Sequence, residues 1–401
     1  MRVQFTPSGV GLGHAGRCIP IARGLKERNK KTEVFFSTYL DAVNYVRQEG
    51  FPTVEVPSMD FQVKSDGTVD LRRTAINPGP FVASFNLLEQ IGKEVEIMGT
   101  FKPDVVVSDS RATPLIAAKI VNTPAICILN QFQVIIPRRT HYLRLAKFAD
   151  TITLAILGKI WTSGVKVMIP DFPPPYTIST GNLRTPKAYK KKINLIGPIL
   201  PVRPDALPSK GKLRKKLGLH DEKPVIFAPI SGPLKERAYL ISMLQQIFSM
   251  FPEHYQIIMS LGDPRDNSSS LQHGNFTTFR WIPNRFEYMK ACDVVVSRAG
   301  HGTIMQTMCY GKPTILIPTP SHTEQINNAR KAEDLGVALI IKQDDLSKKM
   351  LFSRVKQVLE NKNLRERALE VRSEVSTMSG LEMVVETIID VVEGGEVHIP
   401  A

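Results

Sequence analysis

The stretch Trp281–Ala329, WIPNRFEYMKACDVVVSRAGHGTIMQTMCYGKPTILIPTPSHTEQINNA, decides the fold. It reads as loop, helix, the apolar strand Val294–Val296, then a loop Ser297-Arg-Ala-Gly-His-Gly-Thr303 that opens another helix. Strand, glycine-rich turn and helix in that order make a βα unit of a parallel sheet. Glycine lets the backbone come close to a ligand, and a helix start offers unpaired N–H groups and a positive dipole end of roughly half a unit charge. Such a loop suits a diphosphate. After the apolar run Pro313–Pro318 comes His322-Thr-Glu-Gln325, a polar cluster able to read the hydroxyls of a sugar.

Outward from this stretch the pattern repeats. Strands are expected at Val3–Thr6, Glu33–Ser37, Asp104–Ser108 and Ala125–Leu129, with helices near His14–Arg28, Leu40–Glu49, Phe85–Gly99 and Pro114–Val121. A second series runs through Val225–Ala228, Gln256–Ser260, Val294–Val296, Thr314–Ile317 and Ala338–Ile341. Continuous Val/Ile runs suit strands covered on both faces, so the expected class is α/β with two parallel, Rossmann-like sheets. A chain of 401 residues exceeds what one core supports. We expect domains at 1–197 and 209–378, a stiff Pro-rich linker at 198–208, and a helix and tail at 379–401 packing back on the first domain. A cleft would lie between the carboxyl ends of both sheets, where ligands bind.

Composition narrows the class. Hydrophobic content of 42% with 22% charged residues is that of a globular chain. Cys18, Cys127, Cys292 and Cys309 form no C-x-x-C pair, which argues against metal knuckles and a disulfide framework and for a reducing compartment. The sequence opens on a strand, without a basic-then-apolar leader, so secretion is not expected. A net charge of +14 favours anionic partners. The basic clusters Pro137–Arg139, Lys190–Lys192 and Lys210–Lys216 lack interleaved aromatics, so nucleic acid is not expected; their bland reading is solvated loops and helix faces. Tyr142–Ile169 is apolar but interrupted by Lys147, Asp150 and Lys159, too often for a spanning helix. Two readings of it stay open: an interfacial element with Arg138, Arg139, Arg144 and Lys147 at the headgroups, or a core helix and strand.

The first strand leads into Ser8-Gly-Val-Gly-Leu-Gly-His-Ala-Gly-Arg17. Gly11-x-Gly13-x-x-Gly16 matches a dinucleotide fingerprint, but the acidic residue that would hold the ribose is missing where the second strand ends in Phe36-Ser37-Thr38. A nicotinamide or flavin enzyme is thereby disfavoured. His14 would stand at the head of the first helix, facing the cleft, where an imidazole can serve as general base toward a sugar hydroxyl. Asp109, closing the strand after Pro103, is the carboxylate that would stabilise the imidazolium; its alternative role is capping the next helix.

These residues resemble the GT-B glycosyltransferases that use UDP-sugars, closest to the MurG-like, dolichol-pathway GlcNAc transferase branch of glycosyltransferase families 28 and 1. The likeness spans most of the chain and is specific in the two glycine loops and in Trp281–Ala329. It implies an N-terminal acceptor-binding domain and a C-terminal nucleotide-sugar domain. His14 would deprotonate the acceptor, oriented by Asp109, with Gly11, Gly13 and Arg17 on the acceptor side. Donor contacts would come from Ser231, Gly232, Trp281, Ile282, Gly300, His301, Gly302, Thr303, Gln306, Glu324 and Gln325, with backbone at Trp281–Ile282 on the uracil and Glu324 and Gln325 on the sugar. The implied reaction is inverting transfer, most simply of GlcNAc, to a lipid-pyrophosphate-linked sugar on the cytoplasmic face of an anionic membrane. No D-x-D motif ends a strand and the E-x7-E pattern of retaining relatives is absent, so neither metal nor other cofactor is expected. Two positions depart from the pattern: Gln306 replaces an acid for the ribose diol, and Arg111 replaces a Glu often found two residues after Asp109. Rival readings are a UDP-GlcNAc 2-epimerase, which needs more acids around the sugar, a non-catalytic subunit, which would lack one half of this machinery, and a small-molecule glycosyltransferase.

Overall fold

The computed structural model describes residues 1–58, 64, 80–132, 156–183, 187–264 and 270–394. The described strands form two sheets. The first comprises β1 Arg2–Pro7, β2 Glu33–Thr38, β3 Thr53–Glu55, β4 Val105–Asp109, β5 Ala125–Ile128, β6 Lys166–Ile169 and β7 Ile193–Leu195, in the order β3-β2-β1-β4-β5-β6-β7. The second comprises β8 Val225–Pro229, β9 Gln256–Ser260, β10 Ser270–His273, β11 Phe276–Phe279, β12 Val294–Ser297, β13 Thr314–Leu316 and β14 Ala338–Ile340, in the order β10-β11-β9-β8-β12-β13-β14. Every pairing is parallel except β10 with β11. Helices cover both faces, which is why the central strands are apolar throughout: all five residues of β4 are buried.

The strand order locates the site. In the first sheet the chain runs outward from β1 to β3 and then returns to place β4 on the other side of β1. In the second, β8 is flanked by β9 and β12 in the same way. At such switch points two loops diverge from neighbouring strand ends and leave a crevice. The loop after β1 and the side chain of Asp109 belong to the first crevice. Pro229–Gly232 and Ser297–Gly300 belong to the second.

The two halves are tied along the chain as well as across the cleft. The terminal helix Gly380–Glu393 lies on the first sheet, where Val384, Val385 and Ile388 join Ala22, Leu25 and Val3 in one buried cluster. Gly380 donates to the Pro198 carbonyl at 3.1 Å, and a Cβ there would sit 2.4 Å from the Gly197 carbonyl, so only glycine allows this crossing.

Several strands are not announced by apolar runs. β3, β7, β10 and β11 have three or four residues each, and all four residues of β10 are exposed. β6 bears on the two readings left open for Tyr142–Ile169. Val167, Met168 and Ile169 are fully buried between β5 and β7, and Trp161 packs with Val167 and Ile169, so the β6 end of this stretch is core, while Ile156 and Val165 stay exposed. The preceding part of Tyr142–Ile169, with Arg138, Arg139, Arg144 and Lys147, lies outside the described residues. No helix among the described residues is long and apolar enough to cross a membrane. The cluster Lys210–Lys216 is no simple solvated face: Lys210 and Arg214 both hold Asp293, at 2.5 and 2.6 Å.

Candidate active site

Asp109 ends β4 with its side chain fully buried. The loop after β1 is fastened beside it by Ser8, whose N–H donates to the Asp109 carbonyl at 2.9 Å. The first helix, Gly13–Arg28, then brings two side chains one turn apart onto that carboxylate. His14 Nδ1 lies 2.7 Å from Asp109 Oδ1. Arg17 grips both oxygens, Nη2 to Oδ1 at 2.7 Å and Nε to Oδ2 at 3.0 Å, while its Nη1 donates to Asn130 Oδ1. Burial alone would raise the Asp109 pKa. The charge of Arg17, then His14 and the hydrogen bonds they give, outweigh it and hold the carboxyl at about 2. Asp109 does not cap the following helix, which starts at Thr113 after Ala112 with no side-chain cap.

The hydrogen-bond pattern assigns a tautomer. An ionised carboxylate only accepts, so the Nδ1 proton points at Asp109 and Nε2 carries the free lone pair. No described residue bonds Nε2, and His14 lines the cleft with its side chain 20% exposed. That is the geometry of a general base. Arg17 is buried, with its guanidinium committed to Asp109 and Asn130, and it also lines the cavity.

The same cavity, 240 Å³ in volume, is lined by Gly11, Gly13, His14 and Arg17 from the first half and by Ser231, Gly232, Trp281, Ile282, Gly300, His301, Gly302, Thr303, Gln306, Glu324 and Gln325 from the second. Among the expected catalytic and binding residues, Asp109 is the one that stands behind the wall. The halves nearly touch at its floor: Gly11 has φ +72°, and a Cβ there would lie 3.4 Å from Pro233 and 3.5 Å from Gly232.

On the second wall Gly300 is the N-cap of helix His301–Cys309, with no side-chain cap and no acidic residue in its first turn. The amides of His301 and Gly302 are left for a ligand, whereas Thr303 N already donates to the Gly300 carbonyl at 3.1 Å. Four side chains are committed more narrowly than their sequence suggests. His301 is buried, with Nε2 3.1 Å from Asp171 Oδ2, which leaves its backbone for the cavity. Ile282 is in the second-sheet core. The Trp281 ring meets Tyr45 edge-on, centroids 5.4 Å apart, and joins the first-sheet core. Gln325 spends its Oε1 on Thr319 N at 3.0 Å and keeps its NH2 for a ligand. Glu324 and Gln306 are half-buried in the wall, and no described residue bonds the Glu324 carboxylate.

Sequence reasoning passed over Asn130, Tyr45 and Arg298, all of which line the cavity. Arg298 lies inside the diphosphate loop, where its charge was a legible signal. Its guanidinium is buried on the Ile317 and Glu236 carbonyls and on Gln343 Oε1, and burial lowers its pKa to about 10. Asn130 and Tyr45 offered no signal, because only the fold brings them to the cleft. Arg111 is outside the lining: it is buried against Glu94, 2.7 Å away, and donates to the Ser37 carbonyl.

Two parallel sheets opposed across a cleft, with a glycine loop on each wall, define the GT-B class. The solved glycosyltransferase of kitacinnamycin superposes with a TM-score of 0.66 at 16% identity, covering 97% of this chain and 98% of that one. A Streptomyces sp. SF2575 glycosyltransferase, SsfS6, solved with thymidine diphosphate, gives 0.60 at 16% identity over 97% and 99%. In sequence, residues 235–380 match the glycosyltransferase family 28 C-terminal domain. An uncharacterized glycosyltransferase of Methanosarcina mazei is 26% identical over 97% of this chain and 98% of its own. The UDP-N-acetylglucosamine–N-acetylmuramyl-(pentapeptide) pyrophosphoryl-undecaprenol N-acetylglucosamine transferase of Desulforamulus reducens is 28% identical over 90% and 91%. The chain has the GT-B fold of glycosyltransferases, and its second half is similar to the family 28 C-terminal domain.

Proposed function

We propose that the protein transfers a sugar, GlcNAc in the first instance, from a UDP-sugar to a hydroxyl of a lipid-pyrophosphate-linked sugar, with inversion and without a metal. One observation carries this reading: a base held by a buried carboxylate faces an uncapped helix start across a single cavity. His14 Nε2 takes the acceptor proton as the hydroxyl oxygen attacks the anomeric carbon. The bond from that carbon to the diphosphate oxygen breaks on the opposite face, and UDP leaves with the electron pair. Amides of His301 and Gly302, with the Thr303 hydroxyl, meet the charge growing on the diphosphate; a preorganised donor contributes about 3 kcal/mol. Glu324 and the Gln325 amide orient the sugar.

The acceptor class rests on the activity for which the Desulforamulus relative is named and on the +14 charge, which favours a cytoplasmic-side anionic surface. The test is UDP release from a panel of UDP-sugars, with a polyprenyl-pyrophosphate-linked sugar in anionic vesicles or with soluble aglycones. Release with UDP-GlcNAc that depends on the lipid-linked acceptor is expected. Release with soluble aglycones alone would move the function to small-molecule glycosylation. A change of the free UDP-sugar with no acceptor present would indicate an epimerase.

A further inference from the structure

We infer that Arg17 is a positioning residue that keeps His14 available as a free base by sharing the carboxylate on which the imidazole depends. This deepens the reading of His14 given above and rests on it. In a simple His–Asp pair the carboxylate's whole charge favours the protonated ring. Here Asp109 Oδ1 serves two partners at the same 2.7 Å, His14 Nδ1 and Arg17 Nη2. Arg17 Nη2 also lies 3.0 Å from His14 Nδ1 itself. Protonating His14 therefore places a second cation against a carboxylate already neutralised in a buried setting, where like charges are poorly screened. Asn130 fixes the fork from the end of β5, so Arg17 cannot swing away without losing an anchor.

The other groups around the pair do not take over this role. Ser110 Oγ donates to Asp109 Oδ1 at 3.1 Å and is uncharged. Cys18 and Cys127 are buried beside the carboxylate, and burial keeps both thiols neutral by raising their pKa. Glu324, across the cleft, is the remaining carboxylate that Arg17 feels, and it also lines the cavity. Arg17 is the cation in contact with both members of the pair.

The expected signature is in pH dependence. Arg17→Gln leaves Asp109 to His14 alone, so the protonated ring is favoured and the acid limb of the kcat/KM profile moves to higher pH by about one unit or more. At pH 6 the variant should fall about tenfold further behind than at pH 9, where activity recovers. Arg17→Lys keeps the charge and loses the fork, so it should lower the rate with the limb close to its original position. UDP binding by both variants reports that the fold is kept. An unshifted limb in Arg17→Gln, with only a raised acceptor KM, would make Arg17 an acceptor contact and overturn the inference. Undiminished transfer by His14→Ala, run alongside, would instead remove the base on which the inference stands.

Discussion

Asp171 and His301 belong to opposite halves and meet at 3.1 Å, the carboxylate reaching the first residue of the helix that opens on the donor side. Asp171 also accepts from Phe172 N, Ile178 N, Ser179 N and Ser179 Oγ, so one buried side chain orders the loop after β6 and anchors the opposing helix. Burial would raise its pKa, but His301 and the Ser179 bonds hold it below the ordinary carboxylate value. Asn327 repeats the linkage by donating to Asn182 Oδ1 at 3.0 Å. The geometry of this cavity wall is therefore coupled to the first half.

Asp171→Ala removes the anchor and leaves several buried donors unmet. A loss of about 3–5 kcal/mol in unfolding free energy is expected, as when one partner of a buried pair is deleted. UDP affinity should fall as well. Urea unfolding and calorimetric titration with UDP check both; unchanged UDP affinity in a destabilised variant would uncouple the contact from the donor site.

Acid stability should report Asp109. Its folded pKa lies near 2 against an ordinary 3.8, so its stabilisation is fully present above about pH 4 and is lost as pH falls toward 2. The shift corresponds to roughly 2–3 kcal/mol. Unfolding of the wild type and of Asp109→Asn, followed from pH 7 down to 2.5, should show a stability gap that narrows below pH 4. A gap that stays constant would mean that the carboxylate charge is not what stabilises.

The terminal helix is expected to be part of the first half's core. Ile388→Ala should cost about 2–5 kcal/mol, the range for emptying a fully buried aliphatic site. Thermal and denaturant melts measure it; a loss below about 1 kcal/mol would mean the helix is only loosely docked.

Transfer should proceed in EDTA, because helix-start amides meet the leaving diphosphate. An absolute requirement restored by Mg²⁺ or Mn²⁺ would show that this leaving-group account is incomplete.

The α/β class and the cavity wall were legible because parallel strands write themselves as Val/Ile runs and phosphate loops as glycine at strand ends. Val105–Asp109 ends in the carboxylate that meets His14, and Val294–Ser297 leads into the Gly300–Thr303 loop that lines the cavity. What stayed hidden was set by tertiary pairing. β6 was masked by charged neighbours at Lys159 and Lys166, and the edge strand β10 has no apolar face to read. The resemblance implied Arg17 on the acceptor side, and nothing in the sequence pointed to the buried carboxylate that takes up its charge. His301 likewise looked like part of the loop, with nothing in sequence to pair it with Asp171, 130 residues earlier by their numbering.

The most direct measurement is His14→Ala, followed by both UDP binding and UDP release under saturating donor and acceptor. The base and the nucleotide loops come from different halves, so UDP affinity should stay within a few-fold of wild type. The transfer rate should fall by about 10²–10⁴, the usual contribution of a positioned general base. Near-normal turnover in that variant would contradict the mechanism at its centre.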